Sequence, residues 1–81
     1  MIKEWIIKWF NKNSNISIET LEKKSNENYF EEKWIDSFAF INFLSDVEEH
    51  YNIKFSNDEF QNRDFSTIDG LANIIGNKLN G

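Results

Sequence analysis

The segment from Asp36 to Tyr51 constrains the fold of this chain most strongly. Its apolar residues recur every three or four positions, which is the period of a helix with one buried face. That face comprises Phe40, Phe43, Leu44, Val47 and Tyr51, flanked by Ile41. Asp36 is a favourable N-cap, because its carboxylate can accept backbone N–H groups of the first turn. We therefore predict a helix from about Ser37 to Tyr51.

Three further segments have helical signatures. The first has apolar residues at i, i+3, i+4, i+7 and i+8: Ile2, Trp5, Ile6, Trp9 and Phe10. We favour burial of this face in the core, although a Trp/Lys helix could also lie on a membrane surface. A short helix is indicated by Ser56 and Glu59, which fit a capping box, and Phe60 is its main core candidate.

The last helix is predicted to open at Ser66, with Asp69 three residues later as a weaker version of the same box. Its core face is expected to comprise Ile68, Leu71, Ala72, Ile75 and Leu79. Gly70 and Gly76 are unfavourable within a helix.

The connection from Asn11 to Lys33 is long and polar, and its stretch from Ser17 to Lys24 is compatible with a short helical turn. Its apolar residues are expected to pin it to the body: Ile16, Ile18, Leu21, Tyr29 and Phe30. No strand pattern competes with the helices. The prediction is an all-α fold, a small four-helix bundle with three longer helices, one short helix and a long first loop, in a single domain over 1–81.

Charge is distributed unevenly along the 81 residues. Residues 1–35 balance six Lys against six Glu, whereas from Asp36 onward eight acidic residues face three basic ones, so this part carries the whole net charge of −5. An acidic half argues against binding nucleic acid and suits a partner with a basic surface. The sequence shows no signal-type run and no stretch as long as a membrane span, so the expected location is the cytoplasm.

Ser37 is the main candidate for chemistry. At the first helical position its hydroxyl lies near the positive end of the helix dipole, where a phosphate ester is stabilised. The structural alternative is that Asp36 and Ser37 merely cap a helix. His50 is the only histidine and lies about 20 Å away along the same helix, too far to act as a base for Ser37. The chain has no cysteine, and residues 57–64 lack the glycine and spacing of a calcium loop, so we expect neither an enzyme nor a metal site.

From Asp36 to Ile75 the sequence resembles acyl carrier proteins. Asp36-Ser37-Phe38 resembles the Asp-Ser-Leu attachment motif of that family. Residues 38–49 resemble its second helix, residues 51–56 the approach to its short third helix, and residues 65–68 the entry to its fourth. The resemblance implies that Ser37, with Asp36 as the cap beside it, carries 4′-phosphopantetheine derived from coenzyme A. It further implies a phosphopantetheinyl transferase, an acyl- or aminoacyl-loading synthetase and downstream transferases as partners of a monomeric carrier.

The chain also departs from the family. The glycine usual shortly before the motif is missing, with residues 33–35 in that stretch, and Phe38 replaces the leucine. Early acidic positions of the recognition helix are neutral, at Ala39 and Asn42. These changes concern the identity of the partner enzymes rather than the attachment itself. One helix stripe is the predicted partner-binding face: Phe38, Asn42, Ser45 and Glu49, with Asp46 beside it.

The predicted interior is rich in large aromatic rings. Members of this family can shelter a long acyl chain in the space between their helices. In this chain we expect Phe40, Phe43 and Phe60 to point toward that space, with Trp5 and Trp9 opposite. Tightly packed rings resist insertion, which favours a short or polar cargo held outside the bundle. The alternative function is an unmodified helical interaction module without a prosthetic group, using the first helix or the face around Phe38.

Overall fold

The computed structural model describes residues 2–80, which form five α-helices and one 3₁₀ helix. These are α1 (Ile2–Ser14), α2 (Ile18–Lys23), α3 (Ser37–Tyr51), α4 (Asn57–Phe60), the 3₁₀ helix (Arg63–Ser66) and α5 (Ile68–Asn80). Within this range the only strand-like pairing is an isolated bridge between Asn28 and Thr67. The prediction of a small all-α bundle is confirmed. The short turn expected in the first connection is α2, and Met1 and Gly81 at the ends of the predicted domain lie outside the described residues.

The core lies where α1, α3 and α5 face one another. Residues that are fully buried there are Ile6, Phe10, Phe43, Val47, Ile68, Leu71 and Ile75. The first connection adds Leu21 and Tyr29, which are also fully buried. Each such side chain contributes about 1.5–3 kcal/mol by leaving water, and a chain of this length without disulfides depends on that burial.

Two predicted core residues are exposed. Phe60 is 45% exposed because α4 is a single turn resting on the outside, and the buried ring in this region is Phe65, 5.0 Å from that of Phe60. Leu79 is 47% exposed. It lies almost one turn beyond Gly76, which faces Ile2 at the start of α1, so α1 does not cover it. Conversely, Ile7 is buried although the predicted face of α1 omitted it.

Two helix boundaries also differ from the prediction. α1 continues through Ser14, so the polar connection begins four residues later than expected. α5 begins at Ile68, and Thr67 rather than Ser66 caps it: the Thr67 Oγ1 accepts from the Gly70 N–H at 2.9 Å. Ser66 instead ends the 3₁₀ helix, whose tight turn the sequence pattern does not reveal.

Gly70 is required where sequence propensity made it unfavourable. A Cβ at this position would lie 2.1 Å from the carbonyl oxygen of Asp64 in the 3₁₀ helix. The 3₁₀ helix and α5 therefore approach each other at backbone distance, which only glycine permits. This contact places Phe65 inside the core.

The long first connection is fastened to the start of α5. Ser25 Oγ donates to Asp69 Oδ2 at 3.0 Å, and the Asp69 N–H donates to the Ser25 carbonyl at 3.0 Å. Lys3 Nζ reaches Asp69 Oδ1 at 2.8 Å, so one carboxylate joins α1, the connection and α5. The hydrogen bond from Lys3, followed by that from Ser25, holds the pKa of Asp69 below its usual value against the opposing effect of burial.

Candidate functional site

Ser37 occupies the first turn of α3 with its side chain exposed. The preceding Asp36 is extended (φ −102°, ψ −179°), and its Oδ1 accepts from the Ala39 N–H at 2.8 Å. The prediction that Asp36 is the N-cap is therefore confirmed. N–H groups at this end of a helix lack intrahelical partners, so those of Ser37 and Phe38 remain for an anion. The site offers a hydroxyl, orphan N–H groups and a favourable dipole at one place.

A Schellman-type turn delivers the chain to this site. The Trp34 N–H donates to the Tyr29 carbonyl at 3.0 Å, and the Lys33 N–H donates to the Phe30 carbonyl at 3.1 Å. Lys33 adopts the left-handed conformation (φ 61°) that glycine usually provides in such a turn. The stretch in which the family's glycine is missing thus contains a lysine in a conformation that is strained for any residue except glycine. The turn directs Trp34 and Ile35 into the body immediately before Asp36.

A surface groove lies next to the serine. Its volume is about 540 Å³, within the range of small-molecule sites. It is lined by the end of α1, the Schellman-type turn and the first turn of α3, where Asp36 and Ala39 flank Ser37 in sequence. No pattern in the sequence predicts this groove, because its walls come from segments far apart in the chain.

The predicted partner stripe is exposed along its whole length. Its members Phe38, Asn42, Ser45, Asp46 and Glu49 all lie at the surface, and the Phe38 side chain is 84% exposed. Ile41, which was expected to flank the core, is 62% exposed instead. Since it lies three residues after Phe38, it extends the apolar part of this surface. The i, i+3 spacing of Phe38 and Ile41 could have predicted from the sequence that the two side chains share this surface.

Two acidic residues of α3 also have structural contacts. Asp46 Oδ2 accepts from Trp9 Nε1 at 2.8 Å, which joins α3 to α1. Glu48 Oε2 accepts from the Phe55 N–H at 3.0 Å and fixes the segment that follows α3. Glu49 has no such contact with another residue between Ile2 and Asn80. Of these three carboxylates, that of Glu49 is therefore the one that can bind a partner without losing a hydrogen bond within the described residues.

The interior behind α3 is filled by aromatic rings. Tyr29 and Phe43 are fully buried, and the ring of Tyr29 lies 5.3 Å from Phe10 and 6.0 Å from the half-buried Phe40. The Tyr29 hydroxyl donates to the Phe65 carbonyl, and burial raises its pKa. Tyr29 and Phe65 thus fill the part of the core in which Phe60 was predicted to lie. Trp9 faces Phe43 at 4.7 Å, as expected, whereas the partly buried Trp5 stacks on the exposed His50.

Comparison with known proteins identifies the family. Over 61 residues, which are 75% of either chain, the sequence is 38% identical to the acyl carrier protein homolog of Mycoplasmopsis pulmonis (strain UAB CTIP). The chain belongs to the acyl carrier protein family. This membership gives it a carrier role in general terms. No protein-family model and no solved structure matches it.

Two further features of the described residues concern membrane spans and metal sites. Between Ile2 and Asn80, no helix has both the length and the apolar character needed to cross a bilayer. Over the same residues, no group of three or more His, Asp or Glu side chains is arranged to hold a metal ion.

Proposed function

We propose that Ser37 is the residue to which a phosphopantetheinyl transferase attaches 4′-phosphopantetheine from coenzyme A. The observation that carries the proposal is the exposed Ser37 in the first turn of a capped, fifteen-residue helix, within an Asp-Ser-Phe sequence that resembles the Asp-Ser-Leu motif of this family. Asp36 caps this turn by accepting from the Ala39 N–H, and Ser37 beside it is exposed where a transferase can reach it.

The residues at this turn fit the group. The Ser37 oxygen becomes the ester oxygen, and the N–H groups of Ser37 and Phe38, with the helix dipole, stabilise the phosphate charge. When attached, the group supplies a terminal thiol on which an acyl or aminoacyl unit is held as a thioester. The protein's own contribution is to tether and present that unit, which raises its effective concentration at each partner enzyme.

The cargo that fits best is short or polar. Tyr29, Phe10 and Phe43 fill the interior, and the Tyr29 hydroxyl ties the first connection to the backbone at Phe65. Opening this packing for a long chain would cost the burial of several rings. Loading the carrier with a long saturated chain should therefore leave the NMR signals of Tyr29 and Phe65 in place, and large shifts there would refute the idea.

Partner enzymes are proposed to dock on the stripe that begins beside the serine. Phe38 and Ile41 provide an apolar anchor, and Glu49, with Asp46, provides negative charge for a basic surface. A loading synthetase and downstream transferases would share this face, because each must reach the same arm. The same exposed apolar pair is also what an unmodified interaction module would use.

Intact-mass measurement separates the two functions. The purified chain is incubated with coenzyme A and a broad-specificity phosphopantetheinyl transferase, beside Ser37→Ala and the control Ser17→Ala, which changes another exposed serine at a helix N-terminus, that of α2. Wild type and Ser17→Ala should each gain one phosphopantetheinyl group, and Ser37→Ala none. Unmodified wild type would favour the interaction module, and a modified Ser37→Ala would assign the arm to another residue.

A further inference from the structure

We propose that the surface groove beside Ser37 is a seat for the phosphopantetheine arm, so that the arm lies along the outside of the bundle rather than between its helices. This inference rests on the proposed attachment at Ser37. It adds a binding site for the arm, formed by the end of α1 and the turn around Lys33.

The position of the groove supports this occupant. Asp36 and Ala39, which lie one residue before and two residues after Ser37, form one edge of the groove, so a group attached at Ser37 starts next to this edge and has to pass over it. From this edge it extends to Asn13 and Ser14 in the last turn of α1. A tethered ligand that starts at Ser37 therefore has a short path into the groove across Asp36 and Ala39.

The chemistry of the lining matches the chemistry of the arm. Phosphopantetheine carries a phosphate, a branched apolar segment and two amides. Lys33 lines the groove and makes no ion pair with any other residue between Ile2 and Asn80, so its ammonium is available for the phosphate. Phe30 and Trp34 offer apolar surface, and Asn13 and Ser14 offer hydrogen-bonding groups for the amides.

The packing of the interior argues against the alternative position of the arm, between the helices. The space behind α3 is held by fully buried rings, and the turn that contains Lys33 is closed by two backbone hydrogen bonds. The groove is already open, whereas an interior site would require Tyr29 to move. The cost of binding is therefore lower on the outside.

Paramagnetic NMR tests the seat directly. The 81-residue chain has no cysteine, so a thiol-reactive nitroxide labels only the arm of the holo protein. We expect the amide signals of Asn13 and Ser14 to be broadened, because they are remote from Ser37 in sequence but line the groove. The amides of Phe55 and Phe60, outside the groove, should remain sharp. Equal broadening of both pairs, or selective broadening of Phe55 and Phe60, would overturn the proposal.

A charge variant provides a second, independent test. Lys33→Gln should reduce the broadening at Asn13 by a factor of about two to five, the range that loss of one exposed ion pair produces. The control Lys54→Gln removes an exposed lysine outside the groove and should leave the broadening unchanged. An unchanged Lys33→Gln would refute the phosphate contact.

The two proposals fail in different ways. If the wild type acquires no phosphopantetheine, the attachment and the seat both fail. If it acquires the group but the nitroxide does not favour Asn13 and Ser14, only the seat fails and the attachment stands.

Discussion

Gly70 and Gly76 lie in the same helix, α5, yet the structure predicts opposite effects when each is changed to alanine. A Cβ at position 70 would lie 2.1 Å from the Asp64 carbonyl oxygen and 2.7 Å from its carbonyl carbon. Backbone atoms cannot rotate away as a side chain can, so the 3₁₀ helix and α5 must separate. A Cβ at position 76 meets only Ile2 Cδ1, at an ordinary 3.7 Å.

The magnitudes follow from these distances. Overpacking costs about 1–3 kcal/mol, and a clash with backbone belongs at the upper end, so Gly70→Ala should lose about 2–3 kcal/mol even with the better helix propensity of alanine. Gly76→Ala should gain about 0.5–1 kcal/mol from propensity alone. Since 1 kcal/mol shifts the Tm of a domain this small by about 4–8 °C, the two variants should differ by well over 10 °C.

Urea and thermal unfolding followed by far-UV circular dichroism measure both variants against wild type. Gly70→Ala should also weaken the burial of Phe65, since the same crossing places that ring in the core. If Gly70→Ala is as stable as Gly76→Ala, the close crossing of the 3₁₀ helix and α5 is wrong.

Three further predictions concern charge and the turn before the site. Asp69 has a lowered pKa in the folded state, so its ionised form stabilises the fold above the ordinary aspartate value of about 4 and this contribution is lost as the pH falls through the folded value. Asp69→Asn should therefore be less stable than wild type by up to about 1 kcal/mol at pH 7, with the difference shrinking in acid; a gap that is constant with pH in urea titrations would contradict the ion pair. Lys33→Gly should raise the free energy of unfolding by about 0.5–1 kcal/mol by relieving the left-handed lysine, whereas Lys33→Ala should change it little, and equal effects of both would argue against that strain. Glu49→Lys should slow association with a basic partner enzyme about two- to fivefold at low salt and flatten its salt dependence, with Glu22→Lys on α2 as the control in stopped-flow measurements; an unchanged rate would move the docking face elsewhere.

Local signals predicted the helix that carries the site. The bounds of α3 and its Asp36 cap depend on neighbouring residues and on a 3.6-residue period, so the sequence contained what was needed. The buried faces of α1 and α5 were predicted in large part for the same reason. Interactions between distant segments were not predictable in this way.

The burial of Phe65 in place of the predicted Phe60 shows why such interactions could not be predicted from the sequence. Which ring enters the core depends on a 3₁₀ helix that crosses α5 at Gly70, and neither the crossing nor the need for a glycine there is visible in residues 57–66. Tyr29 was expected only to pin the connection, and its central place follows from its hydrogen bond to a carbonyl 36 positions away. The groove is likewise formed by α1 together with later segments, and the hydrogen bond between Trp9 and Asp46 joins α1 to α3, so neither could be predicted from neighbouring residues.

The most direct test of the carrier assignment is to locate the arm on the chain. The protein is treated with coenzyme A and a phosphopantetheinyl transferase, digested, and the peptide containing Ser37 is fragmented by tandem mass spectrometry. The account predicts one phosphopantetheinyl group per chain, at Ser37 and not at Ser45 of the same helix. A group on any other residue, or a chain that stays unmodified, would contradict it.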